Sequence, residues 1–100
     1  MSYNFRYSEE AEIDIFDSYL FYERKKLGLG EDFLVELEYA KRAILISPFT
    51  YRVVFKNKVR VFIIQRFPYS LYYIINGSNV DVISVFNTNQ NPTKWKERLG

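Results

Sequence analysis

The spacing of apolar residues predicts a strand, two helices and then a run of strands along this chain. Residues 3–7 alternate aromatic and polar side chains, which is the period of a half-buried strand. Ser8 is expected to cap the first helix, because two glutamates follow it and complement the positive end of the helix dipole. Apolar residues continue at helical spacing through Ile13, Phe16 and Leu20, so this helix should run to about Lys26.

A second helix should follow after a short turn. Gly28 and Gly30 can supply the positive φ angles of a tight turn, and Ser47-Pro48 ends the helical pattern. This helix begins near Glu31 and repeats apolar side chains at Phe33, Leu37, Ala40 and Ile44. So short a connection predicts an antiparallel helical hairpin.

The second half of the chain has the composition of β-strands. The β-branched and aromatic runs Val59–Phe67, Leu71–Ile75 and Val80–Phe86 are separated by turn residues, which predicts three strands in an antiparallel meander. The tail from Asn91 to Arg98 should form a short helical turn, with Pro92 near its first position. We therefore expect an α+β fold in a single domain over residues 1–100, in which the N-terminal strand and the meander form one four-stranded sheet covered by the helical hairpin.

Both faces of the middle strands are apolar. Val59, Val61 and Ile63 point to one side of their strand, and Phe62 and Ile64 point to the other. A helical hairpin covers only one face of a four-stranded sheet. The second face is therefore covered in one of two ways: the tail with its single tryptophan, Trp95, folds back, or a partner packs there.

Composition excludes several kinds of site. The chain has no cysteine and no histidine, which rules out disulfides, thiolate or histidine metal sites, cysteine nucleophiles and Ser-His-Asp triads. We expect no metal and no cofactor, and we predict no catalytic residue. No signal peptide pattern and no run of about 18 apolar residues occurs, so we expect a cytoplasmic protein without a membrane segment.

Charge is distributed unevenly along the chain. Residues 1–50 contain ten acidic and six basic residues, whereas residues 51–100 contain two acidic and eight basic residues, which gives −4 and +6 within a net charge of +2. A basic second half favours an acidic partner, either a nucleic acid or an acidic protein segment. Its candidate cations include Arg52, Lys58, Arg60 and Arg66, although the last two also fit a solvated sheet edge.

Several short motifs, in order along almost the whole chain, resemble those of the RelE/ParE toxin superfamily. The most specific is Phe67-Pro68-Tyr69 followed by an aliphatic residue and Tyr73, which is similar to the ParE-like branch. The others are Ala11-Glu12-Ile13-Asp14-Ile15 with Tyr22, Leu29-Gly30-Glu31-Asp32-Phe33-Leu34, Pro48-Phe49-Thr50-Tyr51, Arg66-Phe67-Pro68-Tyr69-Ser70-Leu71-Tyr72-Tyr73, and Val85-Phe86-Asn87-Thr88-Asn89-Gln90-Asn91-Pro92 with Trp95.

The resemblance implies a strand, a helical hairpin and an antiparallel sheet, in a toxin that arrests bacterial growth and is neutralised by a cognate antitoxin. RelE-like members cut messenger RNA on the ribosome, and ParE-like members poison DNA gyrase. A homodimer and a heterotetramer with the antitoxin are both compatible with this family. We expect the target or the antitoxin to contact Arg52, Lys58, Arg60, Phe62, Arg66, Tyr69, Tyr72, Asn87, Lys94 and Trp95.

The chain departs from both branches at specific positions. Ser70 stands where the nuclease pattern has an arginine that stabilises the phosphate, and Asn87, Asn89 and Gln90 stand where many ParE-like members carry histidine and arginines. The missing arginine and the absence of histidine favour a gyrase-binding toxin. A ribosome-dependent endoribonuclease, and a degenerate member that binds antitoxin without toxicity, remain the alternatives.

Overall fold

The chain folds as a helical hairpin packed on one face of a β-sheet, which confirms the predicted α+β class. A computed structural model describes residues 2–89 and 93–98. No helix in these residues is long and apolar enough to cross a membrane. In chain order the elements are β1 (Asn4–Tyr7), α1 (Glu9–Lys25), α2 (Leu29–Ile46), β2 (Val53–Phe55), β3 (Val59–Ile63), β4 (Tyr69–Asn76), β5 (Asn79–Asn87) and α3 (Thr93–Glu97).

The sheet has five strands in the order β1-β5-β4-β3-β2, so the expected four-stranded sheet is wrong in strand number. It is also mixed rather than wholly antiparallel, because β1 pairs with β5 in parallel, with Asn4 opposite Asn79 and Tyr7 opposite Val82. The long connection between β1 and β5 lets both run in the same direction. An ion pair between Arg6 and Asp81, 2.7 Å from Nε to Oδ1, joins the two strands at this register.

The strand missing from the prediction is β2. It has three residues, too few to show an alternation, and it pairs with β3 through a tight turn at Lys56 and Asn57. Both turn residues have positive φ angles, 49° and 58°, and Lys58 N–H donates to Phe55 O at 3.1 Å. Hairpin turns with this backbone conformation usually contain glycine. The turn at Lys56 and Asn57 has none, so the sequence lacks the residue that normally predicts such a hairpin.

The predicted boundaries shift where core residues lie outside regular structure. The strand expected over Val59–Phe67 ends at Ile63, yet Ile64 and Phe67 are buried, because the loop between β3 and β4 turns both into the core beneath the helices. The second helix begins at Leu29 rather than near Glu31. Gly28 precedes it with a φ of 89°, a left-handed conformation that glycine adopts readily.

The predicted apolar face is buried in α2 but exposed in α1. In α2 the predicted residues Phe33, Leu37, Ala40 and Ile44 are all buried in the hairpin-side core. In α1 the buried residues are instead Ala11, Ser18 and Tyr22, and the side chains of Ile13 and Phe16 are exposed. Ser8 caps α1 as predicted, because its hydroxyl accepts the Ala11 N–H at 3.1 Å. The apolar stripe chosen from the sequence of α1 is therefore not the stripe that faces the sheet.

Candidate binding surfaces

The face of the sheet opposite the helices, which we call the outer face, is covered by α3. The Trp95 ring is buried and stacks on Tyr72, with ring centroids 4.1 Å apart and planes 18° apart. Phe55 meets the same indole edge-on at 5.7 Å, and Val59 and Phe86 complete the cluster. The tail therefore folds back, as in the first of the two arrangements that the sequence allowed.

Cations surround this aromatic cluster. Lys56 and Lys96 place their Nζ atoms 5.4 and 5.2 Å from the centroid of the same Phe55 ring. Burial raises the pKa of the Tyr72 phenol, while hydrogen bonds with Ser70 and Trp95 and the charge of Arg52 oppose that change. The predicted residues Arg52, Tyr72 and Trp95 thus lie together on the outer face. Phe55, Lys56 and Lys96 belong to the same surface and were missed.

An ion pair that we call the tail anchor fixes α3 to α1. Arg98 donates from Nη1 to Asp14 Oδ2 at 2.6 Å and from Nη2 to Asp14 Oδ1 at 3.0 Å. Nη1 also donates to Ile83 O and to Ser84 Oγ, and Asp14 Oδ2 accepts the Val85 N–H at 3.0 Å. The hydrogen bond with Asp14 is the main reason why the pKa of Arg98 is raised. The anchor therefore ties the first helix, the last strand and the tail together.

Beside the tail anchor lies a cleft of about 440 Å³, here called the tail cleft. It brings together three of the predicted residues, Tyr69, Asn87 and Lys94. Tyr69 is largely buried and packs on Tyr22, whereas Lys94 is exposed. The remaining lining residues are Asp14, Asp17, Ser18, Phe21, Val85, Phe86 and Arg98.

Arg60 and Phe62 lie on the opposite, helix-covered face of the sheet. Arg60 Nη1 donates to the carbonyl oxygens of Phe49 and Tyr51 at 3.0 and 2.6 Å, so its guanidinium holds the segment between α2 and β2. Phe62 is half-buried and packs edge-on against Tyr51, with centroids 5.0 Å apart. Arg60 is therefore neither a fully solvated edge residue nor a freely available cation.

The two remaining predicted cations occupy separate positions. Arg66, in the loop before β4, pairs with Asp32 in the first turn of α2 at 2.9 Å, and both side chains are about half exposed. Lys58 is exposed at the turn between β2 and β3. Gln90, which was noted together with Asn87, lies outside the described residues. The predicted set is thus divided among the outer face, the tail cleft, two places on the helix side and the turn between β2 and β3.

The chemistry of these surfaces suits binding of anionic, partly apolar partners, because cations lie beside exposed or half-buried rings. All buried side-chain nitrogen and oxygen atoms in the described residues have hydrogen-bond partners. Within residues 2–89 and 93–98, no group of three or more acidic residues is placed to hold a metal ion.

Comparison with known proteins supports the fold. No family model matches this chain, and no curated protein matches it in sequence. Among solved structures, a chain described as the chromosomal ParDE TA system from P. aeruginosa superposes with a TM-score of 0.76, covering 85% of this chain and 95% of that one. The two sequences are 12% identical, a level at which the similarity establishes the fold. The chain therefore has the fold of a protein from a ParDE system, which agrees with the fold that its motifs predicted.

Proposed function

We propose that this chain is the toxin of a type II toxin–antitoxin pair, that it acts in the cytoplasm by binding and poisoning DNA gyrase, and that a cognate antitoxin neutralises it. The observation that carries the proposal is the shared fold with a ParDE-system chain together with the ParE-like segment from Phe67 to Tyr73. The basic, aromatic outer face supports action by binding.

The position of Ser70 favours this function over messenger RNA cleavage. Ser70 is 2% exposed in β4, opposite Ile63 and Phe86, and it hydrogen-bonds with Tyr72. A buried hydroxyl gives no positive charge to stabilise a phosphate. The chain also has no histidine to act as general acid or base, and loss of such a group typically costs 10²–10⁴-fold in rate. The lysines of the outer face are nevertheless suited to RNA, so the nuclease is the second candidate.

The first experiment tests toxicity and neutralisation in cells. Induction of this chain alone should stop growth, and co-induction of the small protein encoded beside it should restore growth. Tyr69→Ala is unsuitable as a control because the side chain is buried, so an empty vector serves instead. Normal growth with abundant soluble protein would instead favour the alternative of a degenerate member that binds antitoxin without toxicity.

The second experiment separates the two targets. Purified chain should inhibit supercoiling of relaxed plasmid by DNA gyrase, and it should leave messenger RNA intact on purified ribosomes. Ribosome-dependent cuts that disappear in Lys56→Ala or Lys96→Ala variants would reject the gyrase proposal and establish the nuclease.

The third experiment tests whether the outer face receives an acidic antitoxin segment. We expect that Arg52→Glu with Lys58→Glu slows association with the neighbouring small protein and weakens its salt dependence, because steering charges act mainly on the association rate. Both side chains are exposed and neither forms an ion pair with a residue of 2–89 or 93–98, so reversal should leave the fold intact. Arg60 and Arg66 are poorer probes, because each already holds a partner within the chain. An unchanged association rate at low salt would assign binding to another surface.

A further inference from the structure

The turn between α1 and α2, which we call the hairpin tip, carries a concentration of positive charge. Arg24, Lys25 and Lys26 are exposed there, and none of them forms an ion pair within the described residues. The nearby Glu23 carboxylate accepts the N–H groups of Gly28 at 3.0 Å and of Gly30 at 2.9 Å, so it is hydrogen-bonded to the turn and leaves three cations against one anion at the tip. The tip is thus a cationic site within the acidic half of the chain.

Apolar side chains are exposed at the same place. Leu27 is 90% exposed, more than any other large apolar residue described, and Phe21 is 48% exposed. The turn that carries Leu27 is held by Lys26 N–H to Tyr22 O at 3.1 Å and Leu29 N–H to Lys26 O at 3.0 Å. Cations in the last turn are favourable to the helix dipole, but the dipole gives no reason for exposed apolar side chains.

A cleft along α1 lies beside the hairpin tip and borders the tail cleft. It has a volume of about 510 Å³ and is lined by Asp17, Leu20, Phe21, Arg24 and Lys25. Asp17 and Phe21 also line the tail cleft, so the two clefts are neighbours, and we call them together the tip groove. Leu20 and Phe21 give it apolar surface, cations lie at the tip and at Lys94 on the other side, and Asp17 is an acidic residue between them.

The aromatic rings of the tip groove favour a protein partner over a single-stranded nucleic acid. Bases bind such surfaces by stacking on open aromatic faces. Here Lys25 Nζ lies 4.6 Å from the centroid of Phe21, and the Arg98 guanidinium lies 4.8 Å from that of Phe86. Both rings are therefore already engaged by cations of the chain, and the groove offers alkyl surface and positive charge instead.

We infer that the tip groove is a second docking surface, separate from the outer face, for a protein segment that is acidic and carries large apolar side chains. Apolar side chains of the segment pack on Leu20 and Leu27, and its carboxylates face Arg24 and Lys25 at one end and Lys94 at the other. The inference rests on the proposed function only for the identity of the protein that supplies the segment.

The probe is a designed fluorescein-labelled helical peptide with Leu and Phe along one face and Glu at the other positions. Anisotropy should show binding to the full chain, and ¹⁵N–¹H spectra should show shifts along the tip groove. We expect Arg24→Glu with Lys25→Glu to weaken binding about tenfold or more, since close charge pairs couple strongly at interfaces. Leu27→Ser should also weaken it, and its full exposure makes unfolding an implausible cause.

Lys41→Glu with Arg42→Glu is the matched control, because it reverses two neighbouring cations of α2 that line neither the tip groove nor the outer face. It should leave the affinity within about twofold. The inference is overturned if the peptide does not bind, if the control weakens binding as much as the tip variant, or if a peptide with Gln in place of Glu binds equally well.

Tighter binding of poly(U) RNA, or of vesicles of phosphatidylserine and phosphatidylcholine in equal parts, through the same tip residues would also overturn it. A chain that arrests growth but fails the peptide test retains the proposed function and loses this docking surface. A chain that binds the peptide without arresting growth retains this docking surface and loses the proposed function.

Discussion

Breaking the tail anchor should loosen the C-terminal helix without unfolding the sheet. Arg98→Met keeps the aliphatic volume of the side chain and removes its charge, whereas Asp14→Asn keeps the shape of the carboxylate. The two side chains are 17% and 12% exposed, so the pair lies nearer the buried than the surface class of ion pairs. Each variant should therefore weaken attachment of the tail to the body of the protein.

The expected loss of free energy depends on which charged group each variant leaves without its partner. Removing one partner of a buried ion pair costs about 3–5 kcal/mol, because the other charge stays desolvated. In Arg98→Met the Asp14 carboxylate still accepts the Val85 N–H, which reduces the expected cost to about 2–3 kcal/mol. The double variant leaves neither Asp14 nor Arg98 as an unpaired charge, and the carboxylate of Glu10, which Arg98 also contacts at 3.5 Å, is exposed to solvent, so we expect the double variant to cost about 1–2 kcal/mol less than the sum of the single variants.

Trp95 is the only tryptophan, so its emission reports the tail alone, while far-ultraviolet circular dichroism reports the helices and sheet. In the single variants, urea should shift the Trp95 emission to the red before the circular dichroism changes, because a locally destabilised element opens first. Arg66→Met and Asp32→Asn provide a matched control at an exposed pair, where less than about 1 kcal/mol is expected. Additive costs at Asp14 and Arg98, or coincident transitions by both probes, would refute this reasoning.

Three further predictions concern single side chains. Burial raises the pKa of Tyr73 to about 12, whereas an unfolded tyrosine ionises near pH 10, so the stability present below pH 10 is lost as the pH rises toward 12. Tyr73→Phe removes this ionisation and should reduce the loss of stability at alkaline pH. Urea midpoints measured between about pH 9 and pH 12 would show the difference. Gly30→Ala should lower the free energy of unfolding by about 1–3 kcal/mol, because the new Cβ would lie 2.8 Å from Tyr19 Cδ1 and O; a thermal midpoint equal to that of the wild type would contradict the close packing of the helices. Trp95→Ala should cost about 3–5 kcal/mol and Trp95→Phe less, because the stack on Tyr72 is partly kept; equal denaturant midpoints for the two variants would contradict that role.

The sequence predicts the elements of this fold better than it predicts their buried faces. Helix α2 has a single apolar stripe, so Phe33 and Ile44 were identified correctly as core residues. Helix α1 has apolar residues around most of its circumference, and the stripe through Ile13 and Phe16 is the exposed one. Periodicity cannot choose between two apolar stripes, because that choice depends on which side the sheet lies.

The candidate surfaces were predictable in residue type but not in grouping. The cations of the second half were identified from charge, yet Arg60 holds backbone carbonyls and Arg66 pairs with Asp32. The tail anchor joins residues that are 84 positions apart, and no spacing rule in the sequence connects them. Contacts of that kind follow from tertiary packing of α1, β5 and the tail, which the order of elements leaves undetermined.

The parallel pairing of β1 with β5 has a consequence for synthesis of the chain. Arg6 and Asp81 are 75 residues apart, so at roughly 5–20 residues per second the first strand waits roughly 4–15 s for its partner to be made. During that time β1 has no strand to pair with at its final position, although α1 and α2 can already form from local contacts. The edge of the sheet formed by β1 is therefore among the last parts of the fold to be completed, and nascent chains that end before Asn79 cannot form it.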